Sequence, residues 1–109
     1  MILQVLFIEL NMKKNSFSNA VQSIVKKIPK GYVMSYKDVA YCAGYPNAFR
    51  AVGSLMKRNN NPTIPCHRVV RSNGTAGFYN AGGERRKIAK LQTEGALTKK
   101  GEMRFWMPQ

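Results

Sequence analysis

Three breaks govern how this chain can fold: Pro29-Lys30-Gly31, Tyr45-Pro46 and Asn59-Asn60-Asn61-Pro62 cut its middle into short segments that continuous helix cannot bridge. Before the first break, Phe17, Val21, Ile24, Val25 and Ile28 recur at helical spacing. Ser16 is placed to cap that helix and Pro29 to stop it. Tyr32-Val33-Met34 reads as a short extended segment, and Ser35 with Asp38 three residues on gives a capping-box-like start to a second helix ending near Gly44. With Asn47 as cap, Ala48 to Arg58 reads as a third helix. Ala48, Val52 and Leu55 face inward on it, and Arg50, Ser54, Lys57 and Arg58 line the opposite face. Two short helices joined by a tight turn, the second basic outside, form a helix-turn-helix pattern. Ile64 to Val70 turns into a β-like run before the Asn73-Gly74 turn. Glu84 to Glu94 reads as a last helix, with Gly95 suited to the position just past its end.

At 109 residues there is room for one domain with one core, and a 44% hydrophobic composition with 21% charged residues is that of a globular protein rather than a disordered tail. Eighteen Lys and Arg against five acidic residues give a formal net charge of +13, which points to a polyanionic partner. A basic stripe alone is more often a solvated face. The apolar opening, Met1 to Leu10, is too short for a membrane span and has no basic leader before it; a strand is expected there, with Met12 as an alternative start. Cys42, Cys66 and the sole histidine, His67, cannot complete a four-ligand zinc site without carboxylate help, so no metal site is expected; no cofactor is expected either. Two cysteines are also too few for a disulfide framework, which favours a reducing compartment.

Chemistry concentrates in Pro65-Cys66-His67-Arg68-Val69-Val70. A cysteine attacks as thiolate, and Cys66 has the cationic Arg68 and the only imidazole as near neighbours. Cys42, inside an apolar helix, suits a structural role better. On a strand, adjacent side chains point to opposite faces, so a direct Cys66–His67 dyad would need a bend, and His67 is expected to act through a water.

The string Pro65-Cys66-His67-Arg68-Val69 resembles the hallmark of the O6-alkylguanine-DNA alkyltransferases, the methylated-DNA-protein cysteine methyltransferases. The likeness extends in order through Gly31-Tyr32-Val33, Ser35-Tyr36, Arg50-Ala51-Val52-Gly53, Asn59, Gly77, Tyr79 and Glu94-Gly95. It implies an α+β, mainly helical fold: a winged-helix-like domain with a helix-turn-helix and a short β-hairpin. Residues 1–15 would be an N-terminal extension, 16–98 the DNA-binding and active-site domain, and 99–109 a C-terminal tail. It implies irreversible, single-turnover transfer of an alkyl group from O6-alkylguanine in duplex DNA to Cys66 after base flipping, with O4-alkylthymine a candidate second substrate.

In that resemblance His67 is the water-mediated base, Glu94 orients it, and Tyr36 protonates the departing guanine and helps rotate the nucleotide. Arg50 fills the gap left by the extruded base; Ser35, Ala51, Gly53, Lys57, Arg58 and Arg68 also face DNA. Asn59 ties the recognition helix to the active-site loop, and Pro65, Val69, Gly77 and Tyr79 shape the pocket. A monomer without membrane contact is implied, in the cytoplasm, at the nucleoid of a prokaryote or in the nucleus of a eukaryote.

Several features depart from the family pattern. The loop from Asn59 to Cys66 is one residue shorter, Phe49 replaces a small residue beside Arg50, and an insertion falls near Asn80 to Gly83. The short chain, Gly82-Gly83-Glu84-Arg85-Arg86-Lys87 and Trp106 are similar to the alkyltransferase-like proteins, which bind lesions without repairing them and carry tryptophan at the cysteine position. Cys66 is retained here, which favours catalysis. A basic helix-turn-helix regulator with a structural Cys66 is the third alternative.

Overall fold

The computed structural model describes residues 16–79 and 81–109. The strand expected at the N-terminus lies outside them, as does Asn80 of the insertion. Helix α1 covers 16–27, followed by strand β1 (Met34–Ser35), helix α2 (Tyr36–Cys42), helix α3 (Phe49–Arg58), a single 3-10 turn (Cys66–Arg68), strand β2 (Val69–Val70) and helix α4 (Gly83–Glu94). Among the described residues no helix is long and apolar enough to cross a membrane.

The periodic residues of α1 reach the core as their spacing requires, with Val21, Val25 and Ile28 buried against Met34, Val39, Val52, Met56 and Val69. Ser35 accepts a hydrogen bond at Oγ from the Asp38 backbone N–H, 2.9 Å, which satisfies one of the open donors of α2. In α3 the start differs from expectation: Ala48 occupies the cap position without a side-chain hydrogen bond, and Asn47 stays outside. Val52 and Met56 are the buried side chains there, while Leu55 packs from the edge.

The sheet also differs from the expected hairpin. β1 and β2 run parallel, with Met34 opposite Val69 and Ser35 opposite Val70, all four buried. The Asn73-Gly74 turn closes on itself, Arg71 donating its backbone N–H to the Thr75 carbonyl at 3.0 Å, and does not return a second strand. Local sequence carries turn chemistry but not strand partners; β1 reaches β2 across an intervening helical pair. The C-terminal segment is no detached tail. Val33 donates its N–H to the Arg104 carbonyl and accepts from the Trp106 N–H, both 2.9 Å, while Trp106 packs on the core and Leu97 bridges Met103.

Candidate active site

Pro65 precedes a 3-10 turn, not a strand, so Cys66 and His67 do not alternate across a sheet. The turn supplies the bend that a strand lacks. Cys66 is held by its own backbone N–H, which donates to the Ile64 carbonyl at 2.8 Å. Around it lies a cavity of about 610 Å³, whose lining includes Asn59, Pro65, Cys66, His67, Tyr79 and Lys90.

Glu94 ends α4 at the point where it meets this turn. Gly95, with φ +80°, allows the chain to reverse there, its N–H reaching the Gln92 carbonyl at 3.0 Å and the Ala96 N–H the Leu91 carbonyl at 2.9 Å. The carboxylate is thereby presented to two partners. His67 Nε2 lies 3.0 Å from Oε1, and Arg68 grips both oxygens, Nε to Oε1 at 3.0 Å and Nη2 to Oε2 at 2.9 Å. A carboxylate only accepts, so Nε2 carries the imidazole proton and Nδ1 is left as acceptor.

Charges around the pair set its protonation. Burial resists the Glu94 charge, but the hydrogen bonds and positive charge of Arg68 and His67 outweigh it and hold the carboxyl below its usual range. Burial pushes His67 below the ordinary histidine value; Glu94 pulls upward without winning, and Lys90 and Arg68 add to the depression. A neutral imidazole at neutral pH is the form a general base needs.

Arg68 therefore differs from its expected place on the DNA face. Besides Glu94 it donates from Nη1 to the Ile28 carbonyl at the end of α1, 2.9 Å. It clamps α1, the Cys66 turn and α4 together, and its guanidinium is spent inside the protein. Two further expectations are corrected. Ser35 is 2% exposed and serves as the α2 cap, and Val69 is a core residue of β2 rather than a wall of the cavity. Asn59 does bridge as expected, its Nδ2 donating to the carbonyls of Asn61 and Ile64, each at 3.3 Å, and its Oδ1 accepting from the Asn61 N–H. That ties the end of α3 to the approach to Cys66.

On the outer side of α3, Arg50, Ala51, Lys57 and Arg58 are exposed. Tyr36 and Gly53 line a separate depression of about 280 Å³ with Arg50, Ser54, Lys57, Arg71 and Phe78. Gly77 is needed beside it: at φ +81° a Cβ would sit 3.4 Å from the Tyr36 hydroxyl. Burial, partly offset by Arg71 and reinforced by Cys66, raises the Tyr36 pKa, so the hydroxyl keeps its proton.

Lys87 joins the site without standing out in the Arg85-Arg86-Lys87 run. It is fully buried, and its Nζ donates to the Tyr36 hydroxyl and to the Phe78 carbonyl, each at 3.2 Å. Desolvation pushes its pKa down to about 8, against the upward pull of Cys66 and Glu84, while Arg71 lowers it further. Lys87 gives the Tyr36 oxygen a donor, which leaves the Tyr36 O–H to donate elsewhere. The signal was present: Lys87, Leu91 and Glu94 fall at i, i+4 and i+7, one stripe of α4. Tyr79 stands at the cavity wall, its ring 6.4 Å from His67 and its hydroxyl accepting from Lys90 Nζ at 3.1 Å.

A profile of the family described as "6-O-methylguanine DNA methyltransferase, DNA binding domain" matches residues 16–96. The chain belongs to that family. Among its 6-O-methylguanine DNA methyltransferase relatives, the methylated-DNA–protein-cysteine methyltransferase of Mus musculus is 43% identical over 88 residues, covering 79% of this chain and 42% of its own length. The DNA base-flipping protein of Escherichia coli K12 is 43% identical over 86 residues, 78% of this chain and 66% of that protein. The chain thus spans about two fifths of the mouse methyltransferase. In solved structures, Mycobacterium tuberculosis OGT in complex with DNA matches with a TM-score of 0.67 and 38% identity, over 72% of this chain and 48% of that one. S. pombe Atl1, in complex with damaged DNA containing O6-carboxymethylguanine, matches with a TM-score of 0.70 and 31% identity, over 86% of this chain and 97% of that one. These likenesses agree with the α+β, mainly helical fold.

Proposed function

We propose that this domain removes an alkyl group from O6 of guanine in double-stranded DNA by transferring it to Cys66. The observation that carries the reading is the constellation of Cys66 on a cavity that His67 also lines, with His67 bonded to Glu94 and Glu94 in turn held by Arg68. His67 takes the thiol proton through a water. The thiolate then attacks the alkyl carbon in line, forming the S–C bond as the C–O6 bond breaks. The guanine ring leaves with a proton from Tyr36, whose hydroxyl Lys87 orients. No group in the constellation reverses a thioether, so the protein is consumed.

The target atom lies inside a duplex and must be extruded to be reached. Arg50, exposed at the start of α3, suits the role of filling the gap, and Lys57 and Arg58 suit phosphate contacts. A second reading is lesion recognition without transfer, favoured by the near-complete coverage of Atl1 and by the likeness to the base-flipping protein.

Mass spectrometry after incubation with duplex DNA containing O6-methylguanine separates the two. One methyl increment per molecule, on the peptide holding Cys66, is expected, with Cys66→Ala binding the lesion unaltered. Binding by the wild type without any increment supports lesion recognition instead, and a label on Cys42 or repeated turnover sinks the assignment.

Arg50 gives a second expected result. Arg50→Ala slows transfer from duplex DNA about tenfold to a hundredfold, the scale of an unpaid base-flipping step, yet leaves reaction with free O6-benzylguanine close to wild type. Lys57→Ala is the phosphate control, lowering the log–log salt slope of binding by roughly 0.9. Equal losses on the two substrates with Arg50→Ala assign that residue to the fold.

A further inference from the structure

Phe78 is 52% exposed, yet its place is fixed. Its carbonyl accepts a hydrogen bond from the buried Lys87, and the preceding Gly77 holds a φ of +81° beside the Tyr36 hydroxyl, where an added Cβ would lie 3.4 Å from that oxygen. An anchored backbone carrying a half-exposed ring is an arrangement that apolar burial does not explain. A lone exposed phenylalanine is ordinary; the surroundings of this one are not. It borders the 280 Å³ depression whose described lining residues include Arg50, Lys57 and Arg71 and no carboxylate, and Lys57 Nζ stands 4.8 Å from the ring centroid. Tyr36 shares that lining and is within electrostatic reach of Cys66.

We propose that the Phe78 ring is a base-stacking platform: it receives a nucleobase of the DNA strand next to the extruded nucleotide, while the surrounding cations hold the flanking phosphates. A flat apolar ring fits the π-face of any base, and the cations satisfy the backbone that travels with it. An acidic peptide would match the cations but would leave the ring uncovered; a nucleic-acid strand matches both. The platform also compensates for unstacking, because a base that loses its neighbour to extrusion regains a stacking partner. This rests on the reading that the domain extrudes a base from duplex DNA, but not on transfer to Cys66.

The test uses the full chain in a Cys66→Ala background, so that transfer cannot intrude, with duplexes containing O6-methylguanine and 2-aminopurine on either side of it. Phe78→Leu should weaken binding about fivefold to a hundredfold, the range of one lost base stack, and Phe78→Trp should restore it. 2-Aminopurine at the stacked position should stay quenched with the parent and brighten with Phe78→Leu. The salt slope should not change, because the ring neutralises no phosphate. Thermal melting of each variant checks the fold. Parent-like affinity and quenching in a folded Phe78→Leu protein overturn the proposal, as does a loss that Phe78→Trp fails to rescue. Cys66 can still prove to be the acceptor in that event, and the mass measurement reports on it separately.

Discussion

Replacing His67 with Ala is expected to slow alkyl transfer by about 100-fold to 10,000-fold, the usual contribution of a positioned general base, while affinity for lesion DNA stays within a few fold. Single-turnover rates and binding isotherms on one duplex make the comparison. The expectation follows from where the imidazole sits: side chain 10% exposed, Nε2 committed to Glu94 and Nδ1 left to accept. Glu94→Gln should also slow transfer, and it carries a pH signature. Transfer falls on acidification as His67 gains a proton, and burial places that fall below the ordinary histidine range. Glu94 pulls the His67 pKa upward, so Glu94→Gln should move the acid limb to still lower pH while lowering the plateau. An acid limb that moves upward, or a loss of binding equal to the loss of transfer, removes His67 from the role of base.

Stability should follow the same pair. His67 is depressed in the folded state, so the unfolded chain binds the proton first and stability is lost as pH falls below the ordinary histidine value. Glu94 is depressed as well; its contribution is full above its unfolded value and lost as pH falls towards its folded one. Both act in the acid direction.

Short-range features were readable in the sequence because their causes are short-range. The buried stripe of α1, the Ser35 cap and the Gly95 reversal each depend on residues a few positions apart, and the structure has all three. The 3-10 turn at Cys66 has no comparable local signal, because the β-branched Val69-Val70 that follow it favour extended backbone and make the whole run look like strand. The parallel β1–β2 pair and the docking of Phe105 and Trp106 beside Val33 are long-range pairings, with no local signature. Arg68 shows the same limit at the site. Next to a nucleophile in a strongly basic chain it reads as a DNA contact, and only the approach of Glu94 and the end of α1 reveals it as a clamp. Tyr36, Asn59 and Tyr79 stand out only through family likeness; their spacing alone fits a core aromatic, a helix-ending cap and a packing ring equally well.

Lys87→Met should change both stability and transfer, and each with a pH dependence that a packing defect does not produce. Lys87 lies in the run Arg85-Arg86-Lys87, where the first two side chains are exposed and the third is fully buried. With its pKa pushed down to about 8, the folded protein releases this proton while the unfolded chain keeps it up to the ordinary lysine value. Between those limits the unfolded state binds more protons, so stability of the wild type relative to Lys87→Met should rise with pH, by at most about 3 kcal/mol across the interval. Denaturant titrations of both proteins at pH 7.5 and about pH 10 measure that difference, and subtracting the variant cancels the other lysines. Below about pH 8 the ammonium donates to the Tyr36 oxygen and leaves the Tyr36 O–H free to donate to the leaving guanine. Loss of that charge-assisted bond should slow transfer about tenfold to a hundredfold in Lys87→Met, with reaction of the wild type declining above pH 8 and the decline absent from the variant. A wild-type-to-variant stability difference that stays flat across the interval, together with an unchanged alkaline limb, would mean that Lys87 is charged throughout and acts only as a strut beneath Tyr36 and Phe78.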